Sequence, residues 1–260
     1  MSDSRYIASR ENTRFKALRA LADDPRRQGR ALLDGIHLVA TCFDRGISVK
    51  QLLVSESSQH NEEISALLNA AVDVDCLILR DALFRDISGV GTPTGVAAVI
   101  DIPSGPAGDL SGDAILLDAV QDAGNVGAIM RTAAAAGVRH VLLGTGCAGA
   151  WTSRVLRAGQ GAHFSLSIRE RVDLAAVLAT CSGTSIATVA CGGASLYELN
   201  LTGPVIWMIG NEGSGLVPEL LAAAQVRATI PLANGVESLN VAAATAVCLF
   251  EAYRQRSLRN

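Results

Sequence analysis

Five short apolar runs in the second half of the chain constrain its fold most: Ala114–Leu117, His140–Leu143, Ser185–Val189, Val205–Ile209 and Val226–Ile230. Helical patterns separate or follow them at Asn125–Ala136, Trp151–Ala158, Leu174–Thr180 and Ser238–Arg254. Strands this continuously apolar are buried on both faces. Crossover helices achieve that, so the pattern predicts an α/β fold with a mostly parallel sheet and helices on both faces.

The first hundred residues repeat the alternation on a smaller scale. Strand-like runs fall at Gln51–Val54, Cys76–Leu79 and Gly95–Ile100, and helical patterns at Ala31–Phe43, Glu62–Ala71 and Asp81–Ile87. Between the halves, Ile102–Gly112 concentrates proline, glycine and serine as a linker does. The expected division is a small α/β domain over 1–105 and a larger one over 113–260.

Hydrophobic residues make up 49% of the chain and charged ones 18%, which excludes disorder. No apolar run approaches the roughly 20 residues of a membrane span. The start, Met1–Ile7, lacks the apolar core of a signal peptide, so a cytoplasmic location is expected. Six cysteines (Cys42, Cys76, Cys147, Cys181, Cys191 and Cys248) form no Cys-x-x-Cys pair and have no histidines at finger spacing, so no metal site is expected. Most sit among Ala, Val and Leu and read as reduced small hydrophobes.

The net charge of −3 is unevenly spread. Residues 1–30 carry eight Arg and Lys against four acids, a local balance of +4 that leaves −7 for the remainder. Such an end is either a phosphate-facing surface or a solvated helix, and the interleaved acids keep both readings open. The final helical stretch, Leu239–Tyr253, is apolar almost all round. It is expected to be buried on every side, with a second subunit as partner or, failing that, deep in the core.

Three segments carry the polar groups. Leu116–Ala133 runs from a strand through small and polar residues into a helix, and places Asn125 and Arg131 roughly 9 Å apart along its axis. Val205–Leu216 is a strand that breaks at Gly210-Asn211-Glu212-Gly213. Ile230–Ala244 opens a loop and then the last helix through Ser238 and Asn240. Taken singly, Asn125, Ser238 and Asn240 read as caps, Arg131 as a surface cation and Glu212 as a turn acid. The G-x-G-x-x-G spacing of a dinucleotide site is absent, as is a Walker lysine, which argues against a Rossmann oxidoreductase and a nucleotide triphosphatase.

In order and spacing, the trio Asp122–Arg131, Gly210–Leu216 and Ile230-Pro-Leu with Glu237–Val241 resembles the three signature motifs of the SpoU family of RNA 2′-O-ribose methyltransferases, in the SPOUT superfamily. The likeness spans roughly Ala114 to Arg256. Ala31–Ala40 and Pro93–Val99 are similar, more weakly, to the substrate-binding domain found before that catalytic domain, which implies a buried packing role for His37. The family usually carries proline where this chain has Ala123.

The resemblance implies a C-terminal trefoil knot, S-adenosyl-L-methionine as methyl donor, a homodimer and an RNA ribose 2′-hydroxyl as acceptor. Ribosomal RNA is preferred over transfer RNA, and a non-catalytic RNA-binding protein of the same fold is the alternative. By motif position, Gly210, Ile230 and Leu239 would hold the adenosyl group. Arg131 would be the catalytic cation oriented by Glu212, and Asn125, Ser238 and Asn240 would complete a polar network. Arg154 and Arg157, on one face of the Trp151–Ala158 helix, would lie close to the site and reach RNA phosphate.

Overall fold

A computed structural model describes residues 5–71, 73–103 and 110–258. Most of the expected linker, 104–109, lies outside the described residues. The chain forms two compact units, one of residues 1–104 with 151–164, the other of 105–150 with 165–260.

The first unit runs β1 (Tyr6–Ile7), α1 (Thr13–Asp23), α2 (Pro25–Gln28), β2 (Arg30–Asp34), α3 (Ile36–Asp44), β3 (Val49–Ser55), α4 (Glu62–Ala70), β4 (Asp75–Leu79), α5 (Asp81–Ile87) and β5 (Val96–Asp101). Its five-stranded sheet has the order β1-β4-β3-β5-β2, with β5 antiparallel to both neighbours. Helix α1 starts where the Asn12 carboxamide accepts the N–H groups of Arg14 and Phe15. Phe15, Leu18 and Leu21, spaced three apart on one face, then pack into a core with Leu53, Leu77 and Phe84. Part of the basic end is paired locally: Arg10 lies 2.7 Å from Asp86, Lys16 2.5 Å from Glu11 and Arg30 3.3 Å from Asp101.

The predicted helix Ala31–Phe43 is corrected. Its first residues form β2, whose Leu32 stands opposite Val99 of β5. The break comes at Gly35, at φ 111°, a conformation that glycine alone adopts without strain. Ladder bonds to β5 therefore override the helix-forming composition of Ala-Leu-Leu. His37, expected to be buried, is exposed in the first turn of α3.

The second unit begins with β6 (Ala114–Leu117), α6 (Ala123–Ala135) and β7 (His140–Leu143). The chain then forms α7 (Ser153–Gly159) within the first unit. It continues in the second unit through β8 (Ser167–Glu170), α8 (Leu174–Leu178), β9 (Thr184–Thr188), β10 (Ala194–Ser195), β11 (Val205–Ile209), α9 (Pro218–Ala223), β12 (Val226–Thr229) and α10 (Val241–Ser257). Seven strands in the order β10-β12-β9-β11-β6-β7-β8 are paired in parallel throughout. Strand β11 is buried at every residue and carries Trp207 fully buried, as a central strand covered on both faces must be. The carboxyl ends of β6 and β11 lie side by side, since Leu117 pairs with Ile209.

Within a single chain, helix α10 is buried along one side. Thr245, Cys248, Leu249, Glu251 and Ala252 face inward, whereas Phe250 and Tyr253 are 46% and 50% exposed. The inward face is anchored by polar groups. The Arg256 guanidinium pairs with Asp113 and donates to the carbonyls of Leu201 and Gly203, and the Gln255 amide donates to Leu199. Asp113 in turn accepts the Val205 N–H at 2.8 Å, which ties the helix to the start of β11. No helix among the described residues is long and apolar enough to cross a membrane.

Candidate active site

The loop after β11 is built around two residues, Gly210 and Asn211. Gly210 is buried, and a Cβ added there would meet the Gly215 carbonyl carbon at 2.2 Å and the Leu216 nitrogen at 2.3 Å. Only glycine allows the two backbone stretches to pass so closely. Asn211 exchanges two backbone hydrogen bonds with Gly215, both at 3.0 Å, closing the loop on itself. Its carboxamide oxygen accepts the N–H groups of Gly213 and Ser214, and its amide donates to the Ala119 carbonyl at 2.8 Å. Asp118, at the end of β6, accepts the Val217 N–H at 2.8 Å. The loops after β6 and β11 are thus bolted together at both ends.

Helix α6 is capped by Asp122, whose carboxylate accepts the Asn125 N–H at 2.8 Å. Ala123 occupies the first helical position, where a proline would lose no hydrogen bond, so the family's proline and this alanine serve the same turn. Asn125 is left free to use its side chain elsewhere. Its amide donates to Glu212 at 2.9 Å, and its carboxamide oxygen accepts the Asn240 amide at 3.0 Å. Asn240 spends its own oxygen on capping α10, by accepting the N–H groups of Ala242 and Ala243. One side chain from each of the three sequence segments therefore joins a single chain of hydrogen bonds, Asn240 to Asn125 to Glu212.

That chain borders a cavity of about 570 Å³, a size suited to a small molecule. Gly210, Glu212, Ile230, Ser238, Leu239 and Asn240, all singled out from the sequence, line it. Asn125 reaches it through its bond to Glu212. Arg131 stands apart: it lies exposed further along α6, and its side chain makes no hydrogen bond or ion pair with another described residue. Glu212 holds Asn125, where the resemblance had it orienting Arg131. Arg154 and Arg157, implied to lie beside the site, sit on α7 in the other unit.

Sequence reasoning missed Thr188, whose hydroxyl donates to the Met208 carbonyl and which lines the cavity at the end of β9. It also missed the clamps Asn211 and Asp118. A polar residue closing an apolar strand was the available signal for all three. The lining combines residues at the ends of β9, β11 and β12, Gly210 and Gly213 among them, with the apolar Ile209, Ile230 and Leu239. Such a mixture fits an adenosyl group, whose base is flat and apolar on its faces and hydrogen-bonds at its edge.

Comparison with known proteins agrees with this geometry. Residues 113–250 match the model of the SpoU rRNA methylase family, and residues 12–98 that of the MRM3-like substrate binding domain. The chain is 32% identical over 225 residues to the 23S rRNA (guanosine(2553)-2′-O)-methyltransferase RlmP of Bacillus subtilis, covering 84% of this chain and 86% of that protein. The crystal structure of an AdoMet-bound rRNA methyltransferase from Sinorhizobium meliloti superposes with a TM-score of 0.82 at 27% identity, covering 96% and 97% of the two chains. The AdoMet complex of the SpoU methyltransferase AviRb from Streptomyces viridochromogenes gives 0.80 at 25% identity, over 95% and 100%. With one side chain from each of three motifs joined in a chain of hydrogen bonds and a family match over more than half its length, this chain belongs to the SpoU rRNA methylase family.

Proposed function

We propose that this chain transfers a methyl group from S-adenosylmethionine to a ribose 2′-hydroxyl of ribosomal RNA. The observation that carries the reading is the Asn240–Asn125–Glu212 chain on the rim of this cavity. Ribosomal RNA is preferred because the Bacillus subtilis relative acts on 23S rRNA. In this reading, residues 1–105 bind the RNA substrate and 113–260 carry the chemistry.

Gly210, Ile230 and Leu239 hold the donor, which supplies a methyl group already activated on a sulfonium. The protein's task is then an in-line approach, a more nucleophilic ribose oxygen and exclusion of water. Arg131, exposed and without an internal partner among the described residues, clamps the neighbouring phosphate and stabilises the developing alkoxide. It is not the base, because a guanidinium stays protonated in proteins; the 2′-hydroxyl proton would pass to water as the oxygen–methyl bond forms, the sulfur–methyl bond breaks and the neutral thioether of the donor leaves. Glu212, Asn125, Ser238 and Asn240 orient the acceptor hydroxyl. The scheme calls for no metal.

The reading includes a homodimer, the C-terminal trefoil knot and a cytoplasmic location. The exposed pair Phe250 and Tyr253, with ring centroids 6.0 Å apart on α10, supports the first as an unpartnered apolar stripe. Family membership supports the second, and six free cysteines are consistent with a reducing compartment.

The test is incubation with methyl-labelled adenosylmethionine and unmodified bulk RNA, fractionated by size, beside an Arg131→Ala control. Label in ribosomal RNA that the control lacks is the expected result. No transfer to any RNA despite measured donor binding, or undiminished transfer by the control, would overturn the reading or remove Arg131 from it, respectively.

A further inference from the structure

A second cavity, of about 570 Å³, lies within the first unit at the N-terminal end of α3. It is lined by groups of three kinds. Arg157 of α7 is an exposed cation and His37 of α3 an exposed imidazole. Thr92, Thr94 and Gln160 offer neutral hydrogen bonds, while Asp34 and Glu63 contribute carboxylates. Helix α3 is capped by Gly35, so no side chain satisfies its first-turn N–H groups. Arg157 makes no ion pair with another described residue.

Asp34 shapes the cationic end. It accepts the Ser88 hydroxyl at 2.5 Å. Burial raises its pKa, while Ser88, the charge of Arg157 and the Gly89 backbone all favour the anion. Asp34 and Arg157 thus line the same wall and feel each other's charge without forming an ion pair. None of these groups takes part in the chemistry assigned to the other unit.

We propose that this cavity binds one nucleotide of the RNA. Arg157 and the open first turn of α3 take its phosphate, the imidazole of His37 and Val90 face its base, and Thr92, Thr94 and Gln160 reach its hydroxyl and amide edges. A site for a simple inorganic anion would not carry two carboxylates in its wall, because each would repel the ligand. A nucleotide resolves the conflict, since its phosphate occupies the cationic end while its base can donate to carboxylate oxygens. Histidine is also among the side chains on which unstacked RNA bases stack. The inference rests on the reading of this chain as an RNA-modifying enzyme and adds an RNA contact in the first unit.

The test is a nuclear magnetic resonance titration of the full-length protein, following the His37 imidazole, with the four ribonucleoside 5′-monophosphates, inorganic phosphate and guanosine. At least one nucleotide should bind ten times more tightly than either phosphate or guanosine. Arg157→Ala should weaken that nucleotide at least tenfold, Arg157→Lys should restore most of the affinity, and Thr94→Val should weaken it without altering the protein's remaining spectrum. Phosphate binding as tightly as every nucleotide, no nucleotide shifting His37, or Arg157→Ala binding normally would each overturn the proposal. Methyl transfer to ribosomal RNA is scored separately: transfer without nucleotide binding sinks this inference alone, whereas absence of transfer to any RNA sinks the reading beneath it.

Discussion

Gly210 is the position where one methyl group should do the most damage. Replacing it by alanine puts a Cβ 2.2 Å from the Gly215 carbonyl carbon, 2.3 Å from the Leu216 nitrogen and 2.6 Å from the Gly215 oxygen. Ordinary contact needs about 3.5–4.0 Å, so the opposing backbone must retreat by more than about 1 Å. All three atoms belong to backbone, and no rotamer change relieves them. Retreat breaks the two Asn211–Gly215 hydrogen bonds. At about 1 kcal/mol each, the closed loop loses about 2 kcal/mol relative to open forms. If adenosylmethionine binds the closed loop, its affinity should fall about 30-fold. Gly213→Ala is the control, because its Cβ would stand 3.6 Å from the Asn211 carboxamide oxygen, an ordinary contact. Isothermal titration calorimetry with adenosylmethionine should therefore show a large loss for Gly210→Ala and a change within about threefold for Gly213→Ala. Equal affinities for Gly210→Ala and the parent protein, or equal losses for both variants, would refute the argument from close approach.

Three further outcomes follow from the same structure. Asn125→Ala removes the residue joining Glu212 to Asn240, and should lower kcat by about 10- to 100-fold as a charge-linked hydrogen bond is lost. A kcat within threefold of the parent would take Asn125 out of the site. Asp113→Ala strips the partner from Arg256, whose side chain is 30% exposed, and from the Val205 N–H. Urea unfolding should show a loss of about 2 kcal/mol, below the usual cost of breaking a fully buried pair because water reaches Arg256; a loss under about 0.5 kcal/mol would mean that α10 does not depend on this anchor. Arg254 and Gln255 hold the Glu251 carboxyl down to about 2, against an ordinary 4.5. A depressed folded-state pKa stabilises above the unfolded value and is lost on acidification. The stability difference between the parent and Glu251→Gln should accordingly be full at pH 6, about 1–2 kcal/mol after allowing for the exposure of Arg254, and fade between pH 4.5 and 2. A difference independent of pH over that range would mean that the ion pair does not act in solution.

The legible parts of this chain were those where local pattern and tertiary burden agree. Runs such as Val205–Ile209 are apolar because both faces of β11 are covered, so composition alone located them. The segment Ala31–Phe43 misled because Ala, Leu and Leu suit a helix as well as a buried strand. The pairing of Leu32 with Val99, far away in sequence, decides the matter. Strand β8 was missed for a related reason: Ser167-Ile-Arg-Glu is a sheet edge with one buried residue, too short to show alternation. Six of the residues that the resemblance singled out line one cavity. Which of them touch was hidden, since Asn125 and Asn240 lie 115 positions apart. A separation of 87 positions likewise hid the partner of Glu212. The last helix read as uniformly apolar because alanines fill it, while its polar anchors Gln255 and Arg256 fall in its final turn.

Asn240 serves two masters, and this has a consequence for the order in which the protein becomes functional on the ribosome. Its oxygen starts α10 while its amide steadies Asn125, so the site cannot be completed before the helix has begun. That helix is in turn fastened at its far end to Asp113, at the threshold of β6. Residues 113–239 therefore emerge with their polar network unfinished, and the segment translated after them both closes the sheet's first strand and supplies the missing contact. Until residues 240–256 have been made, the nascent chain holds the parts of the centre without its working arrangement.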